Sequence, residues 1–216
     1  MVDLREHLDA LKEKGELAVI TKELSSHLEI PAIAAMGCRS GTQAMHFTKI
    51  AGFPEGYTIA ANILTGPGHH WSDFAFKRLT WARIAIGLGL DPRIDYESFI
   101  ATLIDRYNHP ILPVKVATGP VKEEVHVGPE VNLYEFPWPW LHKEDGGRYG
   151  TAGVLILKDP ESDWQNWGIY RFMILGRDRI VFDFLSEPAF SHDARVIYEK
   201  YAKMNRPCPF AIALGG

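Results

Sequence analysis

The chain has 216 residues, 46% of them hydrophobic and 23% charged, with a formal net charge of −4. This is globular composition for one large domain or two small ones, without the basic excess of a nucleic-acid binder. Its apolar runs are too short for a bilayer (Ala82–Leu90 is broken by Arg83, Gly87 and Gly89), and its charged, amphipathic N-terminus is no secretory signal.

Asp3 followed by Glu6 reads as a helix start, with Leu4, Leu8 and Leu11 on one face and Gly15 as the stop. "ELAVITKEL" follows as a strand and "LEIPAIAAMGC" as a short helix ending near Gly37. "QAMHFTKI" and "GYTIAANIL" are two more strands around the turn "AGFPEG". Ser72 is placed to cap a long helix through "DFAFKRLTWARIAIGLGL", stopped by Gly89 and Asp91-Pro92, and another helix covers about Tyr96–Tyr107. Pro110, Pro113 and Pro120 then impose extended chain, which divides an N-terminal α/β domain, 1–115, from a second domain, 116–216.

The second domain opens with "EEVHV" and the loop "EFPWPWLHKEDGGRYG". The strand "TAGVLILKD" precedes a hairpin, "DWQNWGIYRFMILGRDRIVFDFL", over 163–185. A helix around His192–Met204 leads to "PFAIALGG", read as a buried core strand. With Gly216 directly after that strand, a second chain or a C-terminal half is expected to complete the fold.

Asn166 and Arg171 both fall in the first strand of the hairpin, five residues apart and therefore on opposite faces of regular extended chain. A bulge or a sheet edge would reconcile them, and so would solvent-exposed strand ends. Asn offers a carbonyl oxygen that suits a hard cation, and Arg a planar fork for carboxylate or phosphate. "TGPGHHW", with His69 and His70, is neither a Walker loop nor a dinucleotide fingerprint and reads as a loop. Glu144-Asp145 reads as a solvated bend, and Trp138 and Trp140 as packing within a stiff, proline-spaced segment. Cys38 and Cys208 have neither disulfide-framework nor metal-binding spacing, which suits a reducing, cytoplasmic compartment.

The segment "NLYEFPWPWLHKEDGGRYGTAGVLILKDPESDWQNWGIYRFMILGRDRI" resembles the UbiD family of prenylated-FMN-dependent decarboxylases. The N-terminal "DLREHLDALKEKGELAVITKEL" and the terminal "PFAIALGG" extend the resemblance over nearly the whole chain. It implies an α/β (α+β) architecture in which the second domain is the first half of a split β-barrel that binds flavin. By motif match, Asn166 is a ligand of a divalent metal, usually manganese, that bridges to the cofactor phosphate; potassium is a further expected ion. Thr151, Ile169, Tyr170, Phe184 and Leu185 line the cofactor, and Arg171 lies by the isoalloxazine and the substrate carboxylate. His192 is the second metal ligand if a short insertion precedes it, with Glu187 as the alternative; the family's third ligand, a Glu, lies beyond Gly216.

The implied activity is reversible, non-oxidative decarboxylation of an aromatic or α,β-unsaturated carboxylic acid. The expected partners are a flavin prenyltransferase that supplies the cofactor and further subunits in a homo- or hetero-oligomer. A non-catalytic accessory subunit and a conventional flavin-binding oxidoreductase are the alternatives.

Overall fold

The computed structural model describes residues 3–68, 78–112, 114–182 and 193–215. Helix α1 (Leu4–Glu13) starts where Asp3 accepts a 3.0 Å hydrogen bond from the Glu6 backbone N–H. It ends at Gly15, whose φ of +72° suits a residue without Cβ, while Glu16 N–H reaches back to Leu11 O at 2.8 Å. Both ends are as the sequence predicts.

Strand β1 (Leu17–Ile20), helix α2 (Glu29–Ser40) and strand β2 (Ala44–Phe47) form a parallel β-α-β unit, and β3 (Ile59–Ala61) pairs antiparallel on the far side of β2. The sheet is covered on both faces. Leu8 and Leu11 of α1 pack with Leu17, Ala44 and Ile86 on one side. Leu24, Ile30, Met45, Phe47 and Ile50 fill the other. Helix α2 runs past Gly37, against expectation, and closes at Gly41 (φ +61°). Gly37 is there for space: a Cβ would strike the Met45 side chain.

The long helix expected from Ser72 to Leu90 is also corrected over the described residues: 78–81 are non-helical and helix α3 covers only Ala82–Gly87. Helix α4 (Tyr96–Asn108) follows, capped by Asp95, whose carboxylate accepts from Ser98 N–H at 2.9 Å. Among the described residues no helix is long and apolar enough to cross a membrane.

The second half holds β4 (Tyr149–Gly150), β5 (Val154–Lys158), β6 (Gln165–Ile169), β7 (Phe172–Ile174), β8 (Ile180–Phe182), helix α5 (Asp193–Lys203) and β9 (Phe210–Ala213). They form two antiparallel three-stranded sheets, ordered β4-β7-β8 and β6-β5-β9. Helix α5 lays Ala194, Ile197 and Tyr201 on Leu155 and Leu157 of β5. Trp138, Phe172 and Ile174 make a second cluster that includes Phe182 and Ile212. The terminal strand exists, but it is not the buried strand expected: Phe210, Ala211 and Ala213 are exposed.

The halves meet where Trp140 N–H donates to Ser26 O and Leu28 N–H to Trp140 O, both at 3.0 Å. Arg148 adds a bond from Nη1 to Ser26 Oγ at 3.1 Å and another to Trp138 O at 2.9 Å.

Candidate functional site

The hairpin of β5 and β6 is set by its turn. Asp159 N–H donates to Trp164 O at 2.9 Å, and Asp159 Oδ1 accepts from Glu161 N–H at 2.7 Å. Lys200 of α5 then clamps the turn, with Nζ 2.6 Å from Asp159 Oδ2 and 3.0 Å from Glu161 Oε2. The Lys200 hydrogen bond holds the Asp159 carboxyl below its ordinary range, and bonds to Asp159 and Glu161 hold Lys200 above its own.

This clamp fixes the register in which Asn166 lies opposite Leu157. Directly opposed residues share a face, and Leu157 packs on α5. Asn166 therefore points to the α5 side, 8% exposed, and its Nδ2 has no hydrogen-bond partner among the described residues. A buried amide with one end unsatisfied costs stability unless something is bound there. His192, the expected second ligand, directly precedes α5 in sequence but lies outside the described residues, as do Glu187, Phe184, Leu185, His69 and His70. Among the described residues no group of three His, Cys, Asp or Glu side chains could hold a metal.

Asn166 and Arg171 do not share a strand, and the expected two-strand hairpin is corrected. Its described part, 163–182, holds β6, β7 and β8, with β6 in one sheet and β7 and β8 in the other. The break falls at Tyr170 and Arg171. Gly168 lets the Tyr170 ring fold back, since a Cβ there would lie 2.5 Å from Tyr170 Cε2. Phe172 then enters the core at 2% exposure, its ring over Gly150 and Gly153. The break and the edge position of β6 answer the spacing puzzle: the chain changes sheets between the two residues.

The change of sheets opens a cleft of about 500 Å³. Ile169, Tyr170 and Arg171 line it together with His142, Asp145, Tyr149 and Met173. Arg171 is exposed. Thr151 is exposed and does not line this cleft.

The structure thus brings Ile169, Tyr170 and Arg171 together and puts Asn166 on the helix-facing side. It adds His142 and Asp145, which sequence reasoning missed by reading 144–145 as a solvated bend. Asp145 closes a turn: its Oδ2 accepts from His142 N–H at 2.8 Å, and its own N–H donates to His142 O at 3.1 Å. The available signal was the His-x-x-Asp spacing before Gly146-Gly147.

Residues 8–103 match the 3-octaprenyl-4-hydroxybenzoate carboxy-lyase N-terminal domain, and residues 113–216 the Rift-related domain of the same carboxy-lyase. The fold, the cleft and these matches define a UbiD-type chain: the protein belongs to the UbiD family. It is 31% identical over 217 residues to pyrrole-2-carboxylic acid decarboxylase of Pseudomonas aeruginosa, covering 99% of this chain and 41% of that protein. It is 29% identical to ferulic acid decarboxylase 1 of Saccharomyces cerevisiae, over 99% of this chain and 42% of the other. The chain thus spans well under half the length of the curated relatives it matches. Among solved structures it resembles vanillic acid decarboxylase of Sedimentibacter hydroxybenzoicus in closed form, with a TM-score of 0.83 and 29% identity over 100% of this chain and 43% of that one. The UbiD-class enzyme HmfF from Pelotomaculum thermopropionicum, in complex with FMN, aligns with a TM-score of 0.75 and 25% identity, over 99% of this chain and 42% of that one.

Proposed function

We propose that this chain supplies the metal- and flavin-facing part of a UbiD-type decarboxylase that removes CO2 reversibly from an aromatic or α,β-unsaturated carboxylic acid. The observation that carries the reading is the split of "NWGIYR" between two sheets. It leaves Asn166 buried, with its Nδ2 donor unpartnered among the described residues, on one side, and Ile169, Tyr170 and Arg171 lining a cleft on the other.

The residues fit the groups the family implies. The unpartnered Nδ2 donor suits an anionic acceptor such as a phosphate, the neutral amide oxygen suits manganese or potassium, and Asn166 would share the metal with His192 or Glu187 and with a carboxylate from outside this chain. Ile169 and Tyr170 offer an apolar wall for a flat ring system, with Thr151, Phe184 and Leu185 proposed beside it. Bound prenylated FMN supplies an electron sink for the carbanion-like centre that loss of CO2 leaves. Arg171 makes no hydrogen bond or ion pair among the described residues, so its fork is free to orient a substrate carboxylate bidentately.

A second polypeptide segment is part of the proposal. Ile111, Leu112, Val114, Val116, Val121, Val125 and Val127 are all at least 66% exposed. Among the described residues strand β9 pairs only with β5. Such an apolar arm and such a free strand edge favour association. A domain division near residue 115, a cytoplasmic location and a prenyltransferase partner belong to the same reading.

Asn166→Ala tests it. The protein, purified with any copurifying subunit from cells that make prenylated FMN, is expected to lose both manganese and flavin, read by metal analysis and absorbance. Unchanged flavin occupancy would overturn the metal assignment.

A further inference from the structure

The two faces of strand β7 have different surroundings. Phe172 and Ile174 enter the core at 2% and 5% exposure, while Met173 between them points the other way and is half-buried. Met173 lies opposite Tyr149 of β4 and opposite Val181 of β8, and directly opposed residues share a face. All three line the cleft. One face of the β4-β7-β8 sheet is thus core, and the other is a surface of the cleft with Met173 on its middle strand.

The Met173 side chain is also held in place. It lies along the backbone of Gly146 and Gly147: a Cβ at Gly147 would stand 3.1 Å from its Cγ and 3.2 Å from its Sδ, and one at Gly146 3.3 Å from its Sδ. An unbranched thioether with three rotatable bonds keeps one shape only with such support, and its polarizable sulfur makes favourable contacts with aromatic rings. Neighbouring strands are about 4.8 Å apart, so the row Tyr149, Met173 and Val181 is about 10 Å long. A single six-membered ring spans about one strand spacing. A fused tricyclic system spans about the whole row.

We propose that the row Tyr149, Met173 and Val181 seats the tricyclic ring of a flavin, with the Met173 thioether as its central contact. The inference rests on the reading of the cleft as the flavin site and adds Met173 to the residues that bind the cofactor. It separates two parts of recognition. The row holds the ring, and Asn166, on the α5 side of the other sheet, serves the phosphate and its metal.

The test uses two probes, lumiflavin, which has the ring but no phosphate, and FMN. They are titrated into the purified protein, with any copurifying subunit, after bound flavin has been removed. The chain has five methionines, so NMR of methyl-labelled methionine gives few signals, and Met173→Leu identifies one of them by its loss. Lumiflavin is expected to move the Met173 methyl signal upfield, as the face of an aromatic ring does, and to leave the other methionine signals in place. Met173→Ala is expected to weaken lumiflavin and FMN alike, by about three- to tenfold, the worth of a sulfur–ring contact. Met173→Leu keeps the bulk and should lose less. Asn166→Ala is expected to weaken FMN and to leave lumiflavin unchanged. A Met173 signal that stays in place while lumiflavin binds overturns the assignment, and so does undiminished lumiflavin affinity in Met173→Ala. If neither flavin binds the unaltered protein, the flavin reading of the cleft fails and the inference fails with it.

Discussion

Glu16 Oε2 accepts a 2.8 Å hydrogen bond from Arg83 Nε in the interior of the N-terminal half, where neither side chain is more than 1% exposed. The pair is completed by backbone. Arg83 Nη1 donates to Asn62 O at 2.8 Å and Thr65 O at 2.7 Å, Nη2 donates to Thr42 O at 2.6 Å, and Gly68 N–H donates to Glu16 Oε2 at 2.8 Å. One guanidinium thus ties α3 to the segments after α2 and β3.

Arg83→Met removes those bonds and takes the guanidinium away from the buried Glu16 carboxylate. Removing one partner of such a pair costs about 3–5 kcal/mol. A urea midpoint lowered to match is expected. The double variant with Glu16→Gln should recover part of the loss, because it removes a buried charge that no longer faces the guanidinium.

Gly150→Ala places a methyl inside the Phe172 ring. Phe172 is 2% exposed and also contacts Trp138 and Phe182, at centroid distances of 5.4 and 5.8 Å, so the ring has nowhere to swing. Overpacking of this kind costs about 1–3 kcal/mol. Chemical denaturation checks the loss, and near-ultraviolet circular dichroism should report the displaced aromatics.

Burial holds the His46 imidazole below its ordinary 6.5, against a smaller upward pull from Asp9, and Nε2 is buried without a partner among the described residues. The folded state therefore binds this proton less readily than the unfolded state does. Its contribution to stability is full above pH 6.5 and is lost as pH falls from there through the lower folded value. His46→Leu is expected to flatten the stability profile between about pH 7 and pH 5, the window that follows from the unfolded value of an ordinary histidine. An unchanged slope would assign the dependence to other groups.

Arg171→Lys keeps the charge and loses the planar fork. With about 1.5–3 kcal/mol in a charge-assisted contact, turnover per bound flavin is expected to drop by about tenfold or more, and Arg171→Ala should fall further. Flavin content should change less, since in the proposed arrangement the metal is held through Asn166 and not through Arg171. Near-normal turnover per bound cofactor in both variants would make Arg171 a structural residue.

Local signals were legible in the sequence because their physics is local. Asp3 and Gly15 bound α1, since a side chain three residues from an orphan N–H and a glycine at positive φ act within one turn. The "NWGIYR" motif pointed to the family and to Asn166, Ile169, Tyr170 and Arg171 before any fold was known. What the sequence alone could not decide is where the chain changes sheets. Arg171 leaves the strand of Asn166 because the Tyr170 ring folds over Gly168 and Phe172 finds room over Gly150 and Gly153, residues 15 or more positions away from it in the chain. The rest of the cleft lining was hidden for the same reason. Glu144-Asp145 reads as a solvated bend, and His142 carries no signal of its own, until Tyr149 pairs with Met173 and their turn joins Arg171 in lining one cleft. Nor does apolar sequence settle exposure: "FAIA" carries the pattern of a core strand, yet among the described residues β9 pairs on one edge only and leaves Phe210, Ala211 and Ala213 exposed. Burial depends on what packs against a strand, and that is a property of the tertiary structure.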